Sequence, residues 1–125
     1  MDVIPAEQIR SQALTSTRLV QAYINRIRLV NIDLNAVVHE CFESAVEEAQ
    51  KIDEYVQDID KDSEEFLNLP QSKPLLGVPF LSKDNLRTKG LVCIAGHPKL
   101  VNDPPSERML KLCTDSKKLE LYFCV

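Results

Sequence analysis

The stretch Pro74-Leu75-Leu76-Gly77-Val78-Pro79-Phe80-Leu81-Ser82-Lys83-Asp84-Asn85 delivers a lysine from an almost wholly apolar run. Lysine is ordinarily kept in water. Lys83, at the end of residues that read as a buried strand, is therefore either a strand terminus reaching solvent or a base held out of it. The strand expected from Leu75 to Leu81 is irregular, because Pro79 has no amide hydrogen to give a sheet ladder and must sit at an edge, a bulge or a bend.

Downstream, Lys89-Gly90 reads as a turn, Leu91 to Ile94 as a second short extended segment, and Ala95-Gly96-His97-Pro98 as a closing turn. Val101 to Ser106 is a proline-rich loop, Glu107 to Leu112 a candidate helical turn, and Leu119 to Val125 an apolar stub.

Upstream the periodicity is helical. A short helix runs from Pro5 to about Gln12, with Glu7 near the positive end of its dipole. Thr15 is a good N-cap for a second helix, in which Leu19, Val20, Tyr23, Ile24, Ile27 and Val30 form the apolar side. Leu34 to Val38 is too brief to be a helix and reads as a loop or strand. Phe42, Ala45, Ala49, Ile52 and Val56 then recur at steps of three or four, with Glu43, Glu47, Glu48 and Glu54 facing away. The acidic run from Asp58 to Glu65 reads as a solvated loop. It contains no glycine for the sharp turn a calcium loop needs.

The 125 residues fit one small domain, and folding would bury roughly two-thirds of the unfolded surface. A net charge of -4 argues against binding a phosphate backbone, so no nucleic-acid partner is expected. No apolar run approaches the roughly 18 residues that span a bilayer. Cys41, Cys93, Cys113 and Cys124 form no Cys-x-x-Cys pair, and neither His39 nor His97 stands at metal-ligand spacing from them. They read as reduced structural thiols in a cytoplasmic protein.

Leu14-Thr15-Ser16, Leu19 to Ile27, Val30-Asn31, Leu34 to Val38, the Ala45 to Asp53 helix and Pro74 to Gly90 together resemble, in that order, the N-terminal portion of an amidase-signature hydrolase. The wording is closest to the fatty-acid amide hydrolase 2-like branch, and the resemblance runs from about Pro5 to Gly96. It implies an α/β fold, here an N-terminal fragment with helices packed on part of a mixed β-sheet. It also implies a cofactor-free enzyme that cleaves small-molecule amides with a Ser, cis-Ser, Lys triad, in which Lys83 matches the lysine. That lysine acts as a base relayed through the cis-serine to the nucleophile. A free lysine, with a pKa of about 10.4, is a poor base at neutral pH, so such a site must desolvate it.

The sequence also departs from the family. The family's serines follow the lysine, the nucleophile after a Gly-Ser-Ser-Gly-Gly run, and no such run occurs in these 125 residues. Gly96 is the last glycine. Residues 1–97 are therefore expected to form a partial amidase-signature domain and 98–125 a divergent tail, as in a truncated gene model, splice product or fragment without activity of its own. Local substitutes are poor. Ser82 should face away from Lys83 because strand side chains alternate. Ser72, Ser106 and His97 lie in loops, and nothing evident activates Cys93.

Two other readings remain open at this point: a non-catalytic helical interaction module, and a small complete protein in which Lys83 is a surface strand end. Strands suited to a large sheet would have unpaired edges, through which self-association is expected.

Overall fold

The computed structural model describes residues 4–88, 90–107 and 121–124. Helices α1 (Ile4–Arg10), α2 (Ser16–Leu34), α3 (Phe42–Asp58) and α4 (Glu64–Ser72) come first. Strand β1 (Pro79–Ser82), a 3-10 helix (Pro98–Asn102) and strand β2 (Leu121–Cys124) follow. The two strands pair in parallel, with Pro79 opposite Leu121 and Ser82 opposite Cys124. A parallel pair needs a long crossover, and here 38 residues, 83–120, separate the strands. Among the described residues the fold is thus mostly helical with one short two-stranded sheet.

The core lies between α2 and α3. Val20, Ile24 and Ile27 of α2 are buried, as are Phe42, Ala45, Ala49, Ile52 and Val56 of α3, the five positions that periodicity marks. Ala45 and Ala49 leave room for close helix approach. Tyr23, placed on the apolar side by spacing alone, is instead 44% exposed. Helix α1 ends at Arg10 rather than Gln12, because Gln12 adopts a left-handed φ of 61°. Asn35, at φ 45°, caps α2 by donating to the Asn31 carbonyl at 2.8 Å. The Asn31 amide then accepts from the Ala36 and Val37 backbones and donates to the Val37 carbonyl, so Leu34 to Val38 satisfies its polar groups without a sheet.

Three sequence expectations need correction. The acidic block is a loop only to Ser63: the Ser63 hydroxyl accepts from Phe66 N at 3.1 Å, and Glu64 and Glu65 form the first turn of α4. Carboxylates there face the positive end of the helix dipole, so the same acids that read as solvated loop also start a helix well. The strand drawn from Leu75 begins only at Pro79. Before it, Leu76 N donates to the Lys73 carbonyl and Val78 N to the Leu75 carbonyl, with Gly77 at φ 74°. These are consecutive turns. Pro79 occupies the first position of β1, where a missing amide hydrogen costs least. The third correction concerns Leu91 to Ile94, which is not a strand. Leu91 N donates to the Thr88 carbonyl and Ile94 N to a side chain. Of the other expectations, Lys89 and residues 108–112 lie outside the described residues, whereas part of the stub from Leu119 is β2.

Polar groups tie α2 to α3 and to the turn before β1. One oxygen of the Asp53 carboxylate, from α3, accepts from Ser16 N at 2.6 Å. The other accepts from Thr17 N at 3.0 Å and the Thr17 hydroxyl at 2.6 Å. Thr15 takes Arg18 N at 3.2 Å, so the first amides of α2 are satisfied by two separate caps. Asp53→Ala removes three charge-assisted bonds and is expected to lower stability by about 2 kcal/mol, read from urea unfolding. An unchanged midpoint would show that the cap contributes nothing net.

On the surface beside α4, the Tyr55 hydroxyl donates to Glu65 at 2.6 Å and the Lys73 ammonium sits 4.1 Å from the ring centroid. Burial, then the bond to Glu65 and its negative charge, raise the Tyr55 pKa to about 12. A phenol whose folded pKa exceeds its unfolded value stabilises the fold below about pH 10. That contribution is lost as pH rises through the folded value of about 12. Ultraviolet titration should therefore show one late tyrosinate, and Glu65→Gln should bring it earlier.

Candidate functional site

Lys83 follows directly on the C-terminal end of β1, the end of a parallel sheet at which α/β folds place their sites. Alternation holds here. Ser82 is 5% exposed and turned inward, where its hydroxyl lies 2.9 Å from that of Thr88, whereas Lys83 is exposed. The Lys83 ammonium enters no salt bridge among the described residues.

The lysine borders an open cleft of about 680 Å³, lined by Leu81, Lys83, Asp84, Asn85, Ala95 and Gly96. Leu81 and Ala95 supply apolar wall, and Lys83 and Asn85 supply hydrogen-bond donors. Such a cleft can receive a small molecule with an acceptor oxygen.

The loop that carries Lys83 is tightly tied. Leu86 N donates to the Lys83 carbonyl at 2.8 Å, closing a turn. The buried Ser82 and Thr88 hydroxyls join its two ends. Asp84 reaches across to the next segment: its carbonyl accepts from Cys93 Sγ at 2.7 Å and its carboxylate from Ile94 N at 3.0 Å. Just beyond, Ala95 and Gly96 have φ values of 45° and 76°, and His97 N donates to the Ile94 carbonyl at 2.7 Å. Two consecutive left-handed residues make this the mirror-image turn typical of tight chain reversals.

The alternative nucleophiles and bases do not gather around Lys83. Ser72 ends α4 and donates to the Asn68 carbonyl. Ser106 N bonds the Leu91 carbonyl, and the exposed His97 is engaged through its backbone. Cys93 spends its thiol hydrogen on Asp84. Cys93 is a free thiol, and no cluster of metal-ligating side chains exists among the described residues. Nor, among the described residues, is any helix long and apolar enough to cross a membrane.

The sequence does not mark Leu81, Asp84 or Asn85 as site residues. The partners of Asp84, Cys93 and Ile94, lie nine and ten positions on, at a separation no local periodicity reports.

Comparison with known proteins gives the family and the fold. The sequence model of the Amidase family matches residues 18–109. Fatty-acid amide hydrolase 2-A of Danio rerio is 36% identical over 111 residues, covering 85% of this chain and 20% of that protein. Fatty-acid amide hydrolase 2 of Homo sapiens is 36% identical over 86 residues, covering 69% of this chain and 16% of that protein. A glutamyl-tRNA(Gln) amidotransferase chain from Moraxella catarrhalis is 31% identical over 97 residues, covering 78% of this chain and 18% of that protein. A solved structure also matches, one described as an unexpected vestigial protein complex that reveals the evolutionary origins of an s-triazine catabolic enzyme. It superposes on 99% of this chain and 25% of its own, with a TM-score of 0.74 and 19% identity, a likeness of fold. The chain thus spans about a fifth of the length of the relatives it matches. With a family match over most of its length and relatives above 30% identity, the chain belongs to the amidase family.

Proposed function

We propose that this chain is the N-terminal part of an amide-bond hydrolase of the Ser, cis-Ser, Lys type, with Lys83 as the triad lysine. The observation that carries the reading is the position of Lys83, which leaves the carboxyl end of β1 into an open cleft with an apolar wall and, among the described residues, forms no ion pair with a carboxylate. In this reading β1 and β2 are members of a larger mixed sheet, and 98–125 is a tail that diverges in sequence after the partial domain of residues 1–97. The tail still brings a strand to β1. The substrate is a small-molecule amide, an acyl or fatty-acid amide by analogy with the amide hydrolases among the relatives.

Proton transfer accounts for what is missing. A lysine acts as a base only as the neutral amine, which low dielectric favours. Lys83 is exposed, so further protein packed over the cleft must supply the desolvation, together with the serines that the 125 residues do not present in a glycine-serine run. The chain by itself is therefore expected to show no turnover of aryl or fatty-acid amides. Turnover that disappears in Lys83→Ala would overturn this reading of an incomplete site.

A second reading, a non-catalytic interaction module that self-associates, draws on exposed Leu29, Ile32 and Leu34 at the end of α2, which are 66%, 83% and 66% exposed. Light scattering separates the two: a concentration-dependent dimer weakened by Ile32→Asp favours the module.

A further inference from the structure

The Lys83 loop and the Ala95-Gly96 turn both line one cleft, and the direct ties between them converge on Asp84. Its backbone oxygen holds Cys93 and its carboxylate holds the amide of Ile94, the residue that also closes the turn by accepting from His97 N. No regular sheet ladder holds residues 91–97, so a side chain does the work that a neighbouring strand does elsewhere. The loop cannot easily recede from the lysine, because the Ser82–Thr88 hydroxyl pair closes its base. We propose that Asp84 is a positioning residue for Lys83, holding the Ala95-Gly96 turn as a wall of the lysine's cleft.

The catalytic meaning of this brace rests on the reading of Lys83 as the triad lysine, whereas the brace can be tested without any turnover. In Asp84→Asn the Oδ1 atom still accepts from Ile94 N, and in Asp84→Ala nothing does. The full chain is measured by nuclear magnetic resonance. In the wild type, the Ile94 amide is expected to be protected from hydrogen exchange. Asp84→Ala should speed Ile94 exchange by about tenfold or more. Asp84→Asn should rescue it, with exchange within about threefold of wild type.

Protection of core amides such as Val20 and Ile52 reports global stability and separates a local release from a general loosening. An unprotected Ile94 in the wild type overturns the proposal even if the alanine variant does not fold. So does an alanine variant with unchanged Ile94 exchange, or an asparagine variant that behaves like alanine. Loss of the Lys83 assignment by kinetics leaves these results standing, so the two failures are distinguishable.

Discussion

Replacing Lys83 by alanine in a complete amidase-family enzyme that carries this segment is expected to lower kcat by about a thousandfold or more, with KM little changed. In the proposed role the substitution removes the group that receives the serine proton as the nucleophile attacks, an interaction made in the transition state rather than in substrate binding. Lys83→Arg sharpens the test. It keeps a cation at the strand end, but a guanidinium stays protonated and cannot serve as the base, so it should fail nearly as badly. Steady-state rates on an aryl amide and on a fatty-acid amide decide the matter. Near-normal turnover in the alanine variant would remove Lys83 from the catalytic machinery, and activity retained only by arginine would make it an electrostatic group instead.

Gly77→Ala should destabilise the fold by about 2–4 kcal/mol. Gly77 has a φ of 74°, where an L side chain is strained. A Cβ there would also lie 2.9 Å from Ser16 Oγ, 3.0 Å from Ser16 Cβ and 3.1 Å from Ile9 Cδ1. These neighbours cannot yield cheaply. Ser16 is fully buried and donates its hydroxyl to the Gly77 carbonyl at 2.8 Å, and the Ile9 side chain is packed in the core. Gly90→Ala is the control, since φ is 83° but nothing lies within 4 Å of the added atom. It should cost only about 1 kcal/mol. Equal losses at both sites in urea unfolding would show that backbone strain alone matters and that the packing of the turn on α2 does not.

The two predictions meet at one physical point. The tight contact between Gly77, Ser16 and Ile9 anchors the chain just before β1, and β1 then aims the lysine. An anchor that slips by a fraction of an ångström moves Lys83 at the other end of a four-residue strand, and in the proposed role catalysis is sensitive to such shifts.

Periodicity by itself marked α2 and α3 and their buried faces, but not α4, nor that α2 and α3 pack on each other. The ordered blocks from Leu14 to Gly90 likewise carried the family, and the apolar run ending in Lys83 marked the candidate site. Strand limits were less legible, because an apolar run does not distinguish a ladder from consecutive turns. Hydrogen bonding decides that, and the backbone from Lys73 to Val78 bonds to itself. Only the tertiary structure could show that Asp53 caps a helix 37 residues earlier, or that Asp84 holds a turn ten residues later. Those contacts depend on where separate elements come together, and local sequence spacing carries no record of that. Lys83 shows both limits: its place in the chain marked it as the candidate residue, and only the fold showed it exposed at the edge of an open cleft.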